Sequence, residues 1–380
     1  MVSKILVTCH LGNPADPKTW SGTPANILSR LGCSGLGVEY IPFSSRLQEG
    51  RARIFRKIDR MLFGQFGSIP GVIARYIMGN LVTTRARSEL CEGILHFSTY
   101  DLPLFGGGGV NRYLFLDNTF DIWVSQAQAA TGMMPRVRRH YQRLEGLALS
   151  KARHIFVSGE HVARNLSERY KVSPHKITVV GTGLGAVQPY RGDKCYDSGE
   201  IISVVKERPI DKGLPLLLEA FSIGRKLRPE LKLTVIGAAK FKNIFPPENV
   251  SFTGWVAEYE LQRYFEQACL FVLPASYEPW GLSFLEALAC KVPILGLDRN
   301  AFPEFCAEGR HGRMLPLTAS ASDLAAAILE QLSSPERQKA QGLAGQKYCI
   351  DTFSWERVAA DISKVIHNDM STNYVASSPK

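Results

Sequence analysis

The chain has 380 residues, 45% of them hydrophobic and 21% charged, a balance that excludes a disordered polymer and is long enough for two domains. Its apolar runs are short and broken by charge, Gly or Pro, which excludes a transmembrane helix, and the N-terminal stretch MVSKILVTCH reads as a first strand rather than a secretory leader. The net charge of +10 is unevenly placed: residues 1–180 carry +11 and the rest −1, so the two halves are expected to meet different partners.

Strand-like runs with helical stretches between them recur in two series. The first comprises KILVTCH (4–10), GVEYIPF (37–43), GILHF (93–97), YLFLD (113–117), HIFVS (154–158) and KITVV (176–180). The second comprises IISVV (201–205), LKLTVIG (231–237), VSFTG (250–254), LFVLP (270–274) and VPILGLD (292–298). Runs rich in Val, Ile and Leu predict parallel strands covered by helices on both faces, hence an α/β chain with two doubly wound sheets. The segment VQPYRGDKCYDSGE (187–200) lacks apolar periodicity and reads as the linker. Domains are expected over 1–190 and 191–350, with a C-terminal helix over 351–368 able to cross back to the first, and a frayed tail over 369–380.

Eight cysteines are scattered without a CxxC pair or a His-Cys cluster, which points to buried thiols in a reducing cytoplasm and to neither a disulfide frame nor a zinc site. The stretch 46–64 places Ile54, Ile58, Met61 and Leu62 at helical spacing, with six Lys/Arg against two acids over 46–60. It suits a helix lying on an anionic membrane surface or meeting an anionic acceptor, and equally a packed helix with a solvated basic face. RVRRH (136–140) adds to the basic half, but no nucleic-acid-binding module accompanies the charge.

Two glycine-rich segments suggest nucleotide loops and fall short of the pattern. ITVVGTGLGA places Gly181, Gly183 and Ala186 after a strand, as in a dinucleotide fingerprint, but VQPYRGDKC follows where that fingerprint needs a helix. FGGGG (105–109) has no Lys-Ser/Thr to make it a phosphate-binding P-loop.

The stretch EPWGLSFLEALAC (278–290) carries more. The order is strand, carboxylate, Gly turn, helix start, at the carboxyl end of a strand where open α/β sheets bind ligands. Gly281 lets backbone approach a ligand, and free N–H groups of a first helical turn favour phosphate. Ser283-x-x-Glu286 also matches a capping box, which accounts for Glu286 alone and leaves Glu278 unexplained.

This stretch resembles the signature of retaining GT-B glycosyltransferases, family 4 in particular: Glu278, Pro279, Trp280, Gly281, Leu282, then Glu286, Ala287, Leu288, Ala289. SVVKERPIDKG (203–213), VSFTGWVAEYEL (250–261) and FSWERVA (353–359) resemble other pieces of the family, so the likeness covers about 176–360; WSGTPANIL (20–28) is a weaker match. The resemblance implies two Rossmann-like domains facing a central cleft, the first for the acceptor and the second for a nucleotide sugar. It implies Lys212 and Arg208 as cations for the diphosphate, Glu286 for the donor ribose and Glu278 for the donor sugar. Trp280, Gly281, Leu282 and Ser283 would contact sugar and phosphates, with Gly22 approaching the diphosphate from the first domain. Residue 206, where the family often has Gly, is Lys. Where many relatives have a catalytic His after a first-domain strand, this chain has Asp117, which an Asn-Asp turn at a strand end also explains; His96 ends the preceding strand and is a weaker cleft candidate.

The function implied is retaining, metal-independent hexosyl transfer from a nucleotide sugar to a glycan, lipid or small-molecule acceptor, in polysaccharide or glycolipid biosynthesis, without a cofactor. No D-x-D tripeptide occurs in the sequence. The expected setting is cytoplasmic, peripheral on the inner membrane face if 46–64 binds lipid, with no nucleic-acid partner. A nucleotide-sugar epimerase of the same fold and a non-catalytic nucleotide-sugar binder remain alternatives.

Overall fold

The computed structural model describes residues 3–42, 69–237 and 247–376, so the basic stretch 46–64 lies outside the described residues. The chain divides into two compact units: Met1–Ser125, Ala130–Gly183 and Trp355–Lys380 form one, Gln126–Ala129 and Leu184–Ser354 the other. The division falls at Gly183/Leu184 rather than at residue 190. The stretch expected as linker is fastened to the second unit, where Val187 and Tyr196 are buried and the Tyr196 hydroxyl donates to the Lys291 carbonyl at 2.9 Å.

The first unit holds a six-stranded parallel sheet of β1 (Lys4–Thr8), β2 (Gly37–Tyr40), β3 (Gly93–His96), β4 (Asn111–Leu116), β5 (His154–Val157) and β6 (Ile177–Val179), in the order β2-β1-β3-β4-β5-β6. Helices α1 (Thr23–Leu31), α2 (Val72–Ser88), α3 (Phe120–Gln126), α4 (Pro135–Lys151) and α5 (Glu160–Arg169) belong to it. The C-terminal helix Trp355–Ala376 is part of the same unit because Val358, Ile362, Ile366 and Met370 repeat at helical spacing and bury against Ile27, Leu31 and Val180.

The second unit repeats the plan with β7 (Glu200–Val204), β8 (Lys232–Ile236), β9 (Val250–Gly254), β10 (Leu270–Leu273), β11 (Ile294–Leu297) and β12 (Gly312–Leu315), in the parallel order β12-β11-β10-β7-β8-β9. Its helices are α6 (Leu214–Leu227), α7 (Glu258–Gln267), α8 (Leu282–Ala289), α9 (Phe302–Cys306), α10 (Ala321–Leu332) and α11 (Pro335–Thr352). All the strands read from the sequence are present, and β12 is added. As an edge strand with half-exposed Arg313 and exposed Met314 it has no continuous apolar run to announce it. Gly312 is required there, since a Cβ would lie 1.8 Å from the Ile294 carbonyl oxygen.

In this sheet the chain runs outward from β7 through β8 to β9, then returns to β10 and runs outward the other way. The reversal lies between β7 and β10, and the crevice beyond their carboxyl ends is where such a sheet binds ligands. Six of the eight cysteines are buried, while Cys33 and Cys195 are exposed, and all eight are free thiols. No described helix is long and apolar enough to cross a membrane.

Candidate active site

The carboxyl ends of β7 and β10 bring Lys212 and Glu278 into direct side-chain contact at the reversal point. Gly213 makes this possible: with φ of 69° it starts α6 in the left-handed region, and a Cβ there would lie 1.9 Å from the Pro274 carbonyl oxygen. The two loops are laced further by Tyr277 N–H donating to the Asp211 carbonyl at 3.1 Å and the Ser276 hydroxyl donating to the same oxygen at 3.3 Å. Burial pulls the Lys212 pKa down to about 7, and the neighbouring cations Arg208 and Lys206 push the same way. The charge of Asp211 opposes the fall, and Glu278 is the carboxylate in direct contact with the ammonium. Arg208, exposed and with a positive φ of 52°, lies over the Tyr277 ring at 5.2 Å and opens its guanidinium to solvent. Three cations thus gather at one rim, which suits an anionic ligand.

Beyond Glu278, Gly281 starts α8 at φ 96°, where a Cβ would press on Phe284 at 2.7 Å and on Glu278 at 3.2 Å. No side chain caps this helix start. Its first-turn N–H groups, on half-buried Leu282 and Ser283, are left for a ligand. The Trp280 ring is buried against Phe305 with centroids 4.8 Å apart, so this residue offers backbone, not its indole face, to the crevice. Helix α8 is apolar nearly all round because it is covered nearly all round, with Phe284 to Ala289 all buried.

Glu286 is in that buried run, and it does not form a capping box with Ser283. Its Oε1 accepts the Ala186 backbone N–H at 2.9 Å. The glycine-rich segment is thereby explained: no helix follows it, and Gly185 is bare because a Cβ would sit 2.1 Å from Glu286 Oε1. Burial raises the Glu286 pKa, while Lys206 and the Ala186 N–H oppose the rise.

In the first unit, Asp117 follows β4 and its Oδ2 accepts the Trp20 indole N–H at 3.0 Å. Trp20, Ser21 and Gly22 are successive left-handed residues, with φ of 47°, 53° and 80°. Two of them are not glycine, so this loop stores strain of about 1–3 kcal/mol per residue. The strain orients the indole toward Asp117 and starts α1 at Gly22. His96 is not a cleft residue: it is fully buried, with Nδ1 3.1 Å from Asp101 Oδ1 and Nε2 3.3 Å from an Arg112 nitrogen. That network ties β3 to β4 and to the loop that follows β3.

The site therefore gathers cations, two carboxylates and an uncapped helix start in the second unit, and the sequence there has known relatives. Residues 194–348 match the family described as glycosyl transferases group 1. The match lies wholly within the second unit. The chain is 33% identical over 114 residues to alpha-maltose-1-phosphate synthase of Mycolicibacterium smegmatis, covering 28% of this chain and 30% of that protein. It is 28% identical over 243 residues to D-inositol 3-phosphate glycosyltransferase of Segniliparus rotundus, covering 57% and 53%. The chain thus spans about a third to a half of these curated relatives. The solved sucrose-phosphate synthase from Thermosynechococcus elongatus superposes with a TM-score of 0.74 at 16% identity, over 97% of this chain and all of that one. The fold of the chain is GT-B, two Rossmann-like units.

Within the segment that matches glycosyl transferases group 1, Lys212, Arg208, Glu278 and the α8 start are the residues singled out from the sequence, and the structure gathers them at one crevice. The sequence reading missed the residues after β11. Asn300, left-handed at φ 49°, donates its side-chain amide to the Glu278 carbonyl at 2.8 Å and fixes that loop. Arg299 lines a recess beside Glu278 with Leu273, Ala275, Trp280 and Phe302. The signal was an Arg-Asn pair at a strand's carboxyl end, which has no periodicity to attract notice.

Proposed function

We propose that the chain is a retaining hexosyltransferase, moving a sugar from a nucleoside-diphosphate sugar to a glycan, lipid or small-molecule acceptor. The Lys212–Glu278 contact at the β7/β10 reversal carries this reading: it sets a cation for a leaving diphosphate against a carboxylate for sugar hydroxyls. In the reaction the bond from the anomeric carbon to the diphosphate breaks through an oxocarbenium-like state. The acceptor hydroxyl bonds to the same face of that carbon, and its proton passes to the departing phosphate oxygen. Lys212, Arg208 and the free N–H groups at the α8 start take up the charge that develops on the leaving group, without a metal. Glu278 holds the sugar and Glu286 the ribose hydroxyls; Gly22 approaches the diphosphate, and Asp117 orients the acceptor.

The basic first half would receive the acceptor in the cytoplasm, with 46–64 as a peripheral attachment to anionic membrane. The names of the curated relatives support transfer as the reaction class: alpha-maltose-1-phosphate synthase, D-inositol 3-phosphate glycosyltransferase and a GDP-mannose-dependent mannosyltransferase.

Thermal scanning against a panel of nucleotide sugars, followed by assay of released nucleoside diphosphate and NMR of the product's anomeric centre, tests the proposal. Stabilisation by one donor, diphosphate release on adding acceptor and a retained configuration are expected. No stabilisation by any nucleotide sugar would sink it, and isomerised donor without diphosphate release would indicate an epimerase.

A further inference from the structure

Beside Glu278, on the side away from Lys212, a guanidinium makes no ion pair among the described residues. Arg299 follows β11, and β11 pairs with β10 on the flank opposite β7. Its Nε is buried without a hydrogen-bond partner, and Arg299 makes no ion pair among the described residues. Its chain neighbour Asp298 is exposed, and Glu278 is already engaged by Lys212. Burial lowers the Arg299 pKa, and the charge of exposed Asp298 opposes the fall. A buried N–H with no acceptor costs roughly 1–3 kcal/mol, so its persistence calls for a ligand that supplies one.

The sheet order says which part of a donor would reach it. Neighbouring strands lie about 4.8 Å apart, so the carboxyl ends of β7, β10 and β11 form a line of three stations about 10 Å long. Lys212 and Arg208 mark the first, Glu278 the second and Arg299 the third. With the diphosphate at the first station, the anomeric carbon lies between the first and second. The opposite edge of the hexose, carbons 4 to 6, then points to the third. A cation at that edge is far from the carbon that becomes positive, so it does not oppose the transition state. What it favours is an anion carried on the sugar itself.

We propose that Arg299 selects a donor whose sugar bears a carboxylate at that edge, a nucleoside-diphosphate hexuronate. The inference rests on the donor-site reading above and deepens it by naming the sugar class. A planar guanidinium suits a carboxylate through paired N–H donors, and Leu273, Trp280 and Phe302 line the recess beside it.

Calorimetric titration of the full chain with matched donors tests it: UDP-glucuronate against UDP-glucose, and GDP-mannuronate against GDP-mannose. For the base that binds, the acidic donor is expected to bind about tenfold or more tighter than its neutral partner, since a charge-assisted pair replaces a hydroxyl contact. Arg299→Met should bring the ratio near one while leaving the affinity for UDP or GDP alone unchanged, which also shows that the variant is folded. Arg299→Lys, keeping charge without the planar fork, should retain part of the preference. Equal binding of the matched donors, or a preference that survives Arg299→Met, overturns the proposal and leaves the transferase reading standing. Absence of binding by every nucleotide and nucleotide sugar overturns the donor site itself.

Discussion

Glu286 Oε1 accepts the Ala186 N–H at 2.9 Å, and this one hydrogen bond joins the middle of helix α8 to the glycine-rich segment that leads into the second unit. It is a hydrogen bond to a buried carboxyl group, where leaving the N–H unpaired would be costly. Gly185→Ala would put a methyl group 2.1 Å from that oxygen. Either the carboxylate or the loop must shift, at about 1–3 kcal/mol. A lower melting temperature together with weaker binding of UDP or GDP is expected from scanning calorimetry and titration. Unchanged nucleotide affinity in Gly185→Ala would show that Glu286 serves the loop and not the ribose.

Lys212 makes nucleotide affinity depend on pH. Its pKa in the free protein is depressed to about 7, and a diphosphate favours the charged ammonium. Below pH 7 the proton is already present; above it, binding must take one up. Affinity for UDP or GDP should therefore fall as pH rises through about 7, approaching tenfold per pH unit. Lys212→Met should bind weakly at pH 6 and lose the slope. Glu278→Gln, which removes the counter-charge in contact with Lys212, should shift the fall to lower pH. Titration calorimetry from pH 5.5 to 9 reads all three.

Trp20 acts on Asp117 through its indole N–H, 3.0 Å from Oδ2. Trp20→Phe keeps a ring against Phe97 and Phe115 but removes the donor. Losing one hydrogen bond to a carboxylate corresponds to roughly a tenfold drop in kcat, with donor KM within about twofold of wild type. A rise in donor KM at constant kcat would instead place the loop's role in diphosphate binding.

Glu145 gives the first unit a pH-dependent stability. It is buried, accepts the Phe120 N–H at 2.8 Å and the Tyr170 hydroxyl, and burial raises its pKa from 4.5 to about 7. A carboxyl with a raised folded-state pKa contributes stability that is complete below about 4.5 and is lost as pH climbs through about 7. The integrated effect is at most about 3 kcal/mol. The difference in melting temperature between wild type and Glu145→Gln, measured from pH 4 to 8, should change over that window and flatten above it. A constant difference would refute the assignment.

The sequence by itself determined the two sheets, because strands buried on both faces must be continuous runs of Val, Ile and Leu, and such runs are visible without coordinates. Glu278 and the Gly281 turn were legible for a related reason, since they follow a strand already identified, whereas Lys212 stood out only through the resemblance to a glycosyltransferase family. The edge strand β12 was not, since half-exposure leaves Arg313 and Met314 in a run that has no pattern. What only the tertiary structure decided is which distant residues meet. Ser283-x-x-Glu286 has the spacing of a capping box, yet Glu286 turns instead to Ala186, and His96 turns to Asp101 and Arg112 rather than to a cleft. Arg299 stands beside Glu278 only because β11 pairs with β10, a matter of strand order. Local pattern reports how a residue suits its own helix or strand; the partner of a buried polar group is set by the packing of elements far apart in the chain.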